Sequence, residues 1–390
     1  MNSPDVVIIG GGIIGISIAY HLAKQGCKNV VVLEKDYVGS GATEKCAGGI
    51  RQQFSVAANI RLSLEALPFF EKFEDEIGQA IDFRQHGYMF LATSENEMVT
   101  FRQNTALQRN LGVDVELLST QEVARLIPHL EIADICGATL CRRDGFADPY
   151  SVVNGLASAA KRLGVKIVEG TEVTDIIVNQ GKVQGVIATT GTIATPIVVN
   201  AAGAYAAAVG RMAGLNIPVH PTRRHIFVSE PLNNHPTGLG EAYWSRLPLV
   251  IEFRNGFWFR REHNCMLIGM RNPVEPEGFD ILPDWDFFTS SLAPTACHRL
   301  PKLADIGISR AQVGLHPDTP DDMAIMGEVP SIEGMYLACG FCGHGFMHSP
   351  AAGRLMADLI LKRIKELPDA AAFILERFQS QITVKERSAI

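Results

Sequence analysis

The chain has 390 residues, and what it lacks narrows its identity before any motif is read. It has no unbroken run of about twenty apolar residues, the length a helix needs to cross a bilayer. The most apolar stretch, residues 6–20, is interrupted by glycines from Gly10 to Gly15, has no basic segment ahead of it and carries no small-residue cleavage site. It reads as a buried strand and helix, which gives the expectation of a soluble, cytoplasmic protein. There is no Gly-x-Ser-x-Gly elbow and no cluster at metal-ligand spacing, so the expected metal set is none. Cysteine is sparse: 8 residues, too scattered for a disulfide framework and consistent with reduced thiols. Cys339-x-x-Cys342 has redox-pair spacing but no second pair beside it, so packing is its expected role. Basic residues are outnumbered, 35 against 42 acidic, and the net charge of -7 argues against nucleic acid as a partner. Repeats, low-complexity tracts and Gly/Ser linkers are also missing, so domain boundaries are expected at crossings between sheets.

What the chain does contain is concentrated first in residues 5–34, DVVIIGGGIIGISIAYHLAKQGCKNVVVLE. A β-branched run ends on Gly10, Gly10-x-Gly12-x-x-Gly15 follows, and a helix runs to about Gln25 before Gly26 stops it. A second buried strand then ends on Glu34, with Lys35 after it. Each part has a physical task in holding a dinucleotide. Gly10 permits the tight turn, Gly12 lets backbone N–H groups approach a pyrophosphate, and Gly15 lets the helix lie against the strand. The helix N-terminus favours phosphate charge. Glu34 stands where a carboxylate accepts both ribose hydroxyls, which disfavours a 2′-phosphate, so FAD or NAD is expected over NADP.

Residues 39–51, GSGATEKCAGGIR, form a small, glycine-rich stretch in which Ser40 to Thr43 could open a second anion-binding turn. Gly48 and Gly49 permit close backbone approach, and Arg51 follows. Helices are expected at about 55–78, 95–111 and 120–125, the last opened by a capping box, Ser119-x-x-Glu122. Asp148-Pro149 is a cap followed by a proline at the first helical position. Strands at 172–178 and 183–188, flanking Asn179-Gln180-Gly181, point to a meander. A further strand at 197–200 then meets the Ala201-Ala202-Gly203-Ala204 turn. From Pro218 to about Val313 strands alternate with proline-containing turns, the pattern of an antiparallel sheet. Residues 313–327 read as a loop studded with Pro and Asp. After a strand at 335–338 comes a second glycine turn, Gly340-Phe341-Cys342-Gly343-His344-Gly345-Phe346, and a helix over 348–362.

Together these motifs resemble the D-amino acid oxidase family of flavoproteins, in particular its sarcosine oxidase β-subunit, glycine oxidase and proline dehydrogenase β-subunit members. The resemblance covers roughly residues 5–365. It is carried by the first unit, GGIRQQF at 48–54, HGYMFLA at 86–92, DGFADP, the turn at Ala201 to Ala204, TPDDMAIMG and GFCGHGFMHSPAAG. The resemblance implies an α/β fold with an α+β second domain: a glutathione-reductase-like Rossmann FAD domain and an antiparallel-sheet substrate domain over the flavin. The corresponding segments are 1–80, 148–215 and 325–390 for FAD, and 81–147 and 216–324 for substrate. It implies FAD held by Gly10, Gly12, Gly15, Glu34, Lys35, Thr43, Lys45, Gly48, Gly49, Val173 and Gly203. Under the flavin pyrimidine it places Gly343, His344, Gly345, Phe346 and Met347. Fixed N–H donors of that turn would stabilise charge near N1 and C2=O, with His344 either adding to this or bracing the backbone.

The implied reaction is oxidation of a small amino acid or secondary amine by hydride transfer to flavin N5, giving an imine that hydrolyses. Three departures from the family pattern bear on it. Gly314 stands where several relatives carry a flavin-linking cysteine, so the FAD is expected to be noncovalent. Leu267 stands where sarcosine oxidases carry the lysine that promotes reaction with O₂, which favours a dehydrogenase. Met347 and His316 stand where relatives carry a lysine or arginine for the substrate carboxylate. That anchor then falls to Arg51, His316, or one of Arg223, Arg224, Arg260 and Arg261. Alternatives remain open at this point: an O₂-using oxidase, the catalytic β subunit of a heteromeric dehydrogenase passing electrons to an acceptor protein or partner subunits, or a flavin-binding assembly protein without turnover.

Overall fold

A computed structural model describes residues 3–232, 246–379 and 384–388. The first unit folds as its glycines require: β1 (Val6–Ile9), α1 (Ile13–Lys24) and β2 (Val30–Leu33). β1 and β2 are parallel, paired from Val6–Val30 to Ile9–Leu33. Gly15 makes the crossover fit, because a Cβ there would lie 2.0 Å from the Gly10 carbonyl oxygen. Beyond β1 come β3 (Val198–Asn200) and β4 (Met335–Cys339), both parallel to it. Lys166–Val168 closes one edge in parallel, and Ile325–Glu328 closes the other antiparallel to β4. The ends of β1, β3 and β4 therefore deliver Gly10, Ala201 and Gly340 to one rim of the sheet. In open α/β sheets that carboxyl rim is where ligands bind.

Helix α2 (Gly345–Ile360) follows β4 and crosses α1 at small residues. Ser17 Oγ donates to the Ser349 carbonyl at 2.7 Å, and a Cβ on Gly353 would come within 2.2 Å of that Oγ. Buried Ile16, Ile18, Leu355 and Met356 fill the same core. The meander appears as Val173–Asn179, Lys182–Ala188 and Gly191–Ala194. Gln180 and Gly181 both adopt positive φ, 49° and 73°, as a two-residue hairpin turn demands. Asp148 caps Pro149–Arg162, accepting from the Ser151 amide at 2.9 Å.

The second sheet has eight strands, in the order Ile308–Asp318, His220–Ser229, Cys265–Gly269, Trp258–Glu262, Leu249–Glu252, Tyr88–Ala92, Gly137–Cys141 and Val115–Leu118. It is antiparallel except where Leu249–Glu252 runs parallel to Tyr88–Ala92. Those two strands are far apart in the chain, so no hairpin dictates their direction.

Three local expectations are corrected. The loop read over 313–327 begins only after Asp318, because 308–318 pairs with His220–Ser229 along its whole length. Its prolines are tolerated because Pro317 faces Pro221 near the strand end, where neither has an amide to leave unmade. The helix expected at 55–78 breaks at Lys72 into Ala57–Glu71 and Phe73–Ile77. Helix α2 starts at Gly345, three residues earlier than read, so its first turn reaches the rim.

Candidate active site

One cleft of about 460 Å³ lies between the carboxyl rim of the parallel sheet and the face of the eight-stranded sheet. Of the residues expected to hold FAD, all except Gly15 line it, and Arg51 and His316 line it with them. Gly15 stands behind the wall, in the contact with Gly10 described above. Gly10, with φ of 110°, would put a Cβ 2.5 Å from the Ala201 carbonyl oxygen. Gly12 is open by comparison: a Cβ there would meet only Thr43 Oγ1, at 3.4 Å, and on Gly203 it would meet nothing within 4 Å. Glu34 is buried at the end of β2, with Oε2 accepting from the Gly11 amide at 2.6 Å and Oε1 from the Asp36 amide at 2.9 Å. Thr43 reaches across from the glycine-rich loop and accepts from the Ile13 amide at 3.0 Å. That loop is pinned because Gly48, at φ 68°, lies against Ala147, and Gly49–Ile50 pairs with Gly145–Phe146. Gly314 lies against Lys45: a Cβ added to the glycine would stand 3.1 Å from the lysine Cβ.

At the other end the second glycine turn closes over His316. A Cβ on Gly343 would sit 2.5 Å from His316 Cε1, so only glycine lets the two approach. His316 Nδ1 is 3.7 Å from Asp318 Oδ1, and Asp318 also accepts from Thr222 Oγ1 at 2.5 Å and Arg224 Nη2 at 3.0 Å. Burial lowers the His316 pKa. For Asp318 burial acts upward, but His316 and Arg224 outweigh it and hold the carboxyl well below the usual range. His344 opens α2 without capping it through its side chain. Its ring packs edge-on against Phe54 at 5.0 Å, and its Nε2 is sealed from solvent with no partner among the described residues. Burial first, then Arg51 and His348, push its pKa well below 6.5. The imidazole is therefore neutral, and any share it takes in stabilising charge at the turn is not that of a cation.

Arg51 is 3% exposed and lies 3.9 Å over the Phe54 ring. It donates to the carbonyls of Gln53 and Ser388, the latter at 2.6 Å. The other arginines separate cleanly. Arg223 is tied to Glu275 at 2.6 Å and Asp280 at 2.7 Å. Arg260 bonds the Ala47 carbonyl at 2.7 Å and stacks on Phe146. Neither these two nor Arg261 reaches the cleft wall, whereas Arg224 does, and so does Arg271, which sequence reasoning missed. Tyr88, Trp258, Met270 and the 384–388 segment were missed as well. Only Tyr88 lay in a recognisable motif. The cysteines behave as packing groups: burial pushes Cys46 to about 11 and Cys339 and Cys342 to about 12, far from the thiolate. Among the described residues no His/Cys/Asp/Glu group could hold a metal, and no helix is long and apolar enough to cross a membrane.

The buried imidazoles make stability depend on pH. Burial lowers His21 and His348 to about 3, and His344 falls well below its ordinary value. Between about pH 4 and 6 the unfolded chain protonates His21 and His348 while the fold does not, and His344 acts in the same direction. Asp144, raised by burial to about 7, acts in the opposite sense by holding one proton in the fold. The histidines outweigh Asp144, so stability rises with pH over that range, by about 1.4 kcal/mol per unit for each proton of difference. Thermal melts at pH 4.5, 5.5 and 6.5 should therefore climb steeply; a flat series would show these histidines to be solvated.

A family model described as FAD dependent oxidoreductase (DAO) matches residues 5–359. The chain belongs to that family. It is 31% identical to FAD-dependent oxidoreductase domain-containing protein 1 of Xenopus laevis, across 99% of this chain and 85% of that protein. It is 30% identical to the mitochondrial sarcosine dehydrogenase of Homo sapiens, across 99% of this chain but 43% of that one, so it spans less than half of that relative. The solved structure of L-proline dehydrogenase from P. horikoshii superposes with a TM-score of 0.88 at 33% identity, covering 97% of this chain and 98% of the other. This FAD-dependent oxidoreductase has FAD as its cofactor, and the cleft fits it. Two helices, α1 and α2, point their N-termini into one space, and neither is capped by its own N-cap side chain. At Gly12 and Gly203 a side chain would project into the cleft.

Proposed function

We propose that this oxidoreductase oxidises a small amino acid or secondary amine at the carbon bearing nitrogen, and that it acts as a dehydrogenase. The observation that carries the reading is Arg51, a buried guanidinium in the cleft wall whose hydrogen bonds among the described residues go to carbonyls and not to a carboxylate. A guanidinium has five N–H donors, so a substrate carboxylate finds donors still free there. Leu249, Ile251, Trp258 and Met270 supply an apolar wall for the rest of a small substrate. The names of the sarcosine and proline dehydrogenase relatives support the same substrate class.

The bound FAD, held without a covalent link, supplies a two-electron acceptor for the hydride that leaves the α-carbon. Everything else falls to placement by the chain. Gly10, Gly12, Glu34, Lys35 and Val173 line the adenosine-diphosphate end. The 343–347 turn directs backbone N–H groups at the end where negative charge builds. Arg51 fixes the carboxylate and thereby the α-carbon. Burial disfavours a proton on His316 and His344; no base of the chain is required, because the amine binds already deprotonated and the imine product hydrolyses in water.

Leu267 supports dehydrogenase behaviour. It shares an apolar cluster with Ile226, Ala47 and Trp258, three residues of the cleft wall, and stands where the resemblance puts the lysine of sarcosine oxidases, so that position offers hydrocarbon in place of a cation. Steady-state assays with a panel of small amines should give turnover with an artificial dye acceptor and little peroxide in air. Peroxide formation as fast as dye reduction would make it an oxidase instead. Dye reduction appearing only after a second protein is added would favour the heteromeric-subunit reading.

A further inference from the structure

Arg51 is not placed by its own segment alone. Its Nη2 donates to the carbonyl of Ser388, 337 residues further along the chain, at 2.6 Å. That carbonyl is itself aimed by Glu386, whose Oε1 accepts from the Ser388 amide at 2.9 Å. Glu386 is 1% exposed, and its carboxylate is fully engaged. Oε1 also takes the Ser55 amide at 2.9 Å and the Ser55 hydroxyl at 2.6 Å, while Oε2 takes the Val56 amide at 3.2 Å and Asn59 Nδ2 at 3.0 Å. These donors surround the start of the Ala57–Glu71 helix, whose own N-cap residue, Val56, offers no side chain to cap it. A carboxylate from elsewhere in the chain does so, with the helix dipole in its favour.

The other side of Arg51 repeats the arrangement. Its Nη1 donates to the Gln53 carbonyl; Gln53 Nε2 in turn donates to the Tyr88 carbonyl at 2.8 Å and to Asp144 Oδ2 at 3.3 Å, and the Gln52 amide donates to Asp144 Oδ1 at 3.0 Å. The guanidinium is thus gripped by two carbonyls, each fixed by a buried carboxylate. Neither acid occupies any of its donors, and Glu386 balances the charge without a direct bond. Direct pairing with an acid would use up the donors that a ligand needs.

We propose that Glu386 is a positioning residue for the active site: by capping the 57–71 helix and aiming the Ser388 carbonyl, it orients Arg51 to receive a carboxylate. The proposal rests on the role given to Arg51 above. Segment 384–388 has other tethers, Lys385 to Asp322 at 3.3 Å and the Glu386 amide to the Asp321 carbonyl at 3.0 Å, so a side-chain change at 386 leaves it docked.

The test titrates the FAD-loaded protein with acetate and with acetamide, its neutral counterpart, and follows the flavin absorbance. Glu386→Ala should weaken acetate binding about tenfold and acetamide less than about twofold, with Glu386→Gln between Ala and the wild type. FAD content should match the wild type. Unchanged acetate affinity would overturn the proposal, as would equal weakening of both ligands. Loss of FAD from both variants would assign Glu386 to folding and overturn it too. Arg51→Lys separates the two claims. If it abolishes the preference for acetate while Glu386→Ala does not, the positioning role falls and the anchor stands. A wild type without the preference would overturn both.

Discussion

Replacing Arg51 with glutamine should lower kcat/KM for the amino acid it oxidises by at least about thirtyfold, while FAD stays bound. The size follows from the setting. Removing one partner of a buried, hydrogen-bonded charge pair costs about 2–5 kcal/mol, because the surviving charge is left unpaired in a dry site. In the variant, the substrate carboxylate would face a neutral amide and, beyond it, Glu386, whose charge no longer has a cation beside it. The loss should fall mainly on KM, since the group holds a part of the substrate that does not react. Stopped-flow reduction at increasing substrate separates the two parameters. An amine without a carboxylate should be affected little; equal losses for both amines would show that Arg51 supports the fold and not the ligand.

The second large effect is expected at Gly15. A single methyl there would stand 2.0 Å from the Gly10 carbonyl oxygen and 3.3 Å from Ile8 Cγ2, both in the rigid floor of the nucleotide turn. Helix α1 must then move off β1. Such overpacking costs about 1–3 kcal/mol in stability, and it also displaces the helix N-terminus that the pyrophosphate needs. Gly15→Ala should therefore purify largely without flavin, read as the ratio of visible to ultraviolet absorbance. Gly26→Ala is the control. It lies at the far end of α1 at φ 98°, where an added Cβ would meet nothing within 4 Å, so it bears only backbone strain of about 1–3 kcal/mol. That variant should keep its FAD. Flavin loss in both, or in neither, would contradict the close-contact argument.

How much of this was legible in the sequence depended on whether the signal was local. The 5–34 unit was readable because strand period, glycine spacing and terminal acid all lie within one crossover, and the same held for Asp148-Pro149 and for the turn before α2. Residues 313–318 were misread because Pro317 and Asp318 are ordinary loop formers; their strand exists through pairing with His220–Ser229, which no local pattern encodes. His344 was recognisable as a residue of the flavin turn, but the direction of its ring is set by Phe54 and His348. Glu386 was beyond reach, since a lone acid followed by Arg387 and Ser388 carries no sign that it caps a helix 331 residues away. The separation of Arg51 and Arg224 from Arg223, Arg260 and Arg261 has the same origin: neighbouring arginines differ by which acids and carbonyls the fold brings to them.

The most direct test of the central claim is anaerobic mixing of the FAD-loaded protein with a panel of small amines: sarcosine, proline, hydroxyproline, glycine, D-amino acids and opines. The account predicts that at least one bleaches the visible band of oxidised flavin within a single turnover, and that the colour returns slowly when air is admitted and quickly with a dye acceptor. A flavin that binds fully yet is bleached by none of them, while a chemical reductant bleaches it normally, would contradict the account and leave a flavin-binding protein without amine turnover.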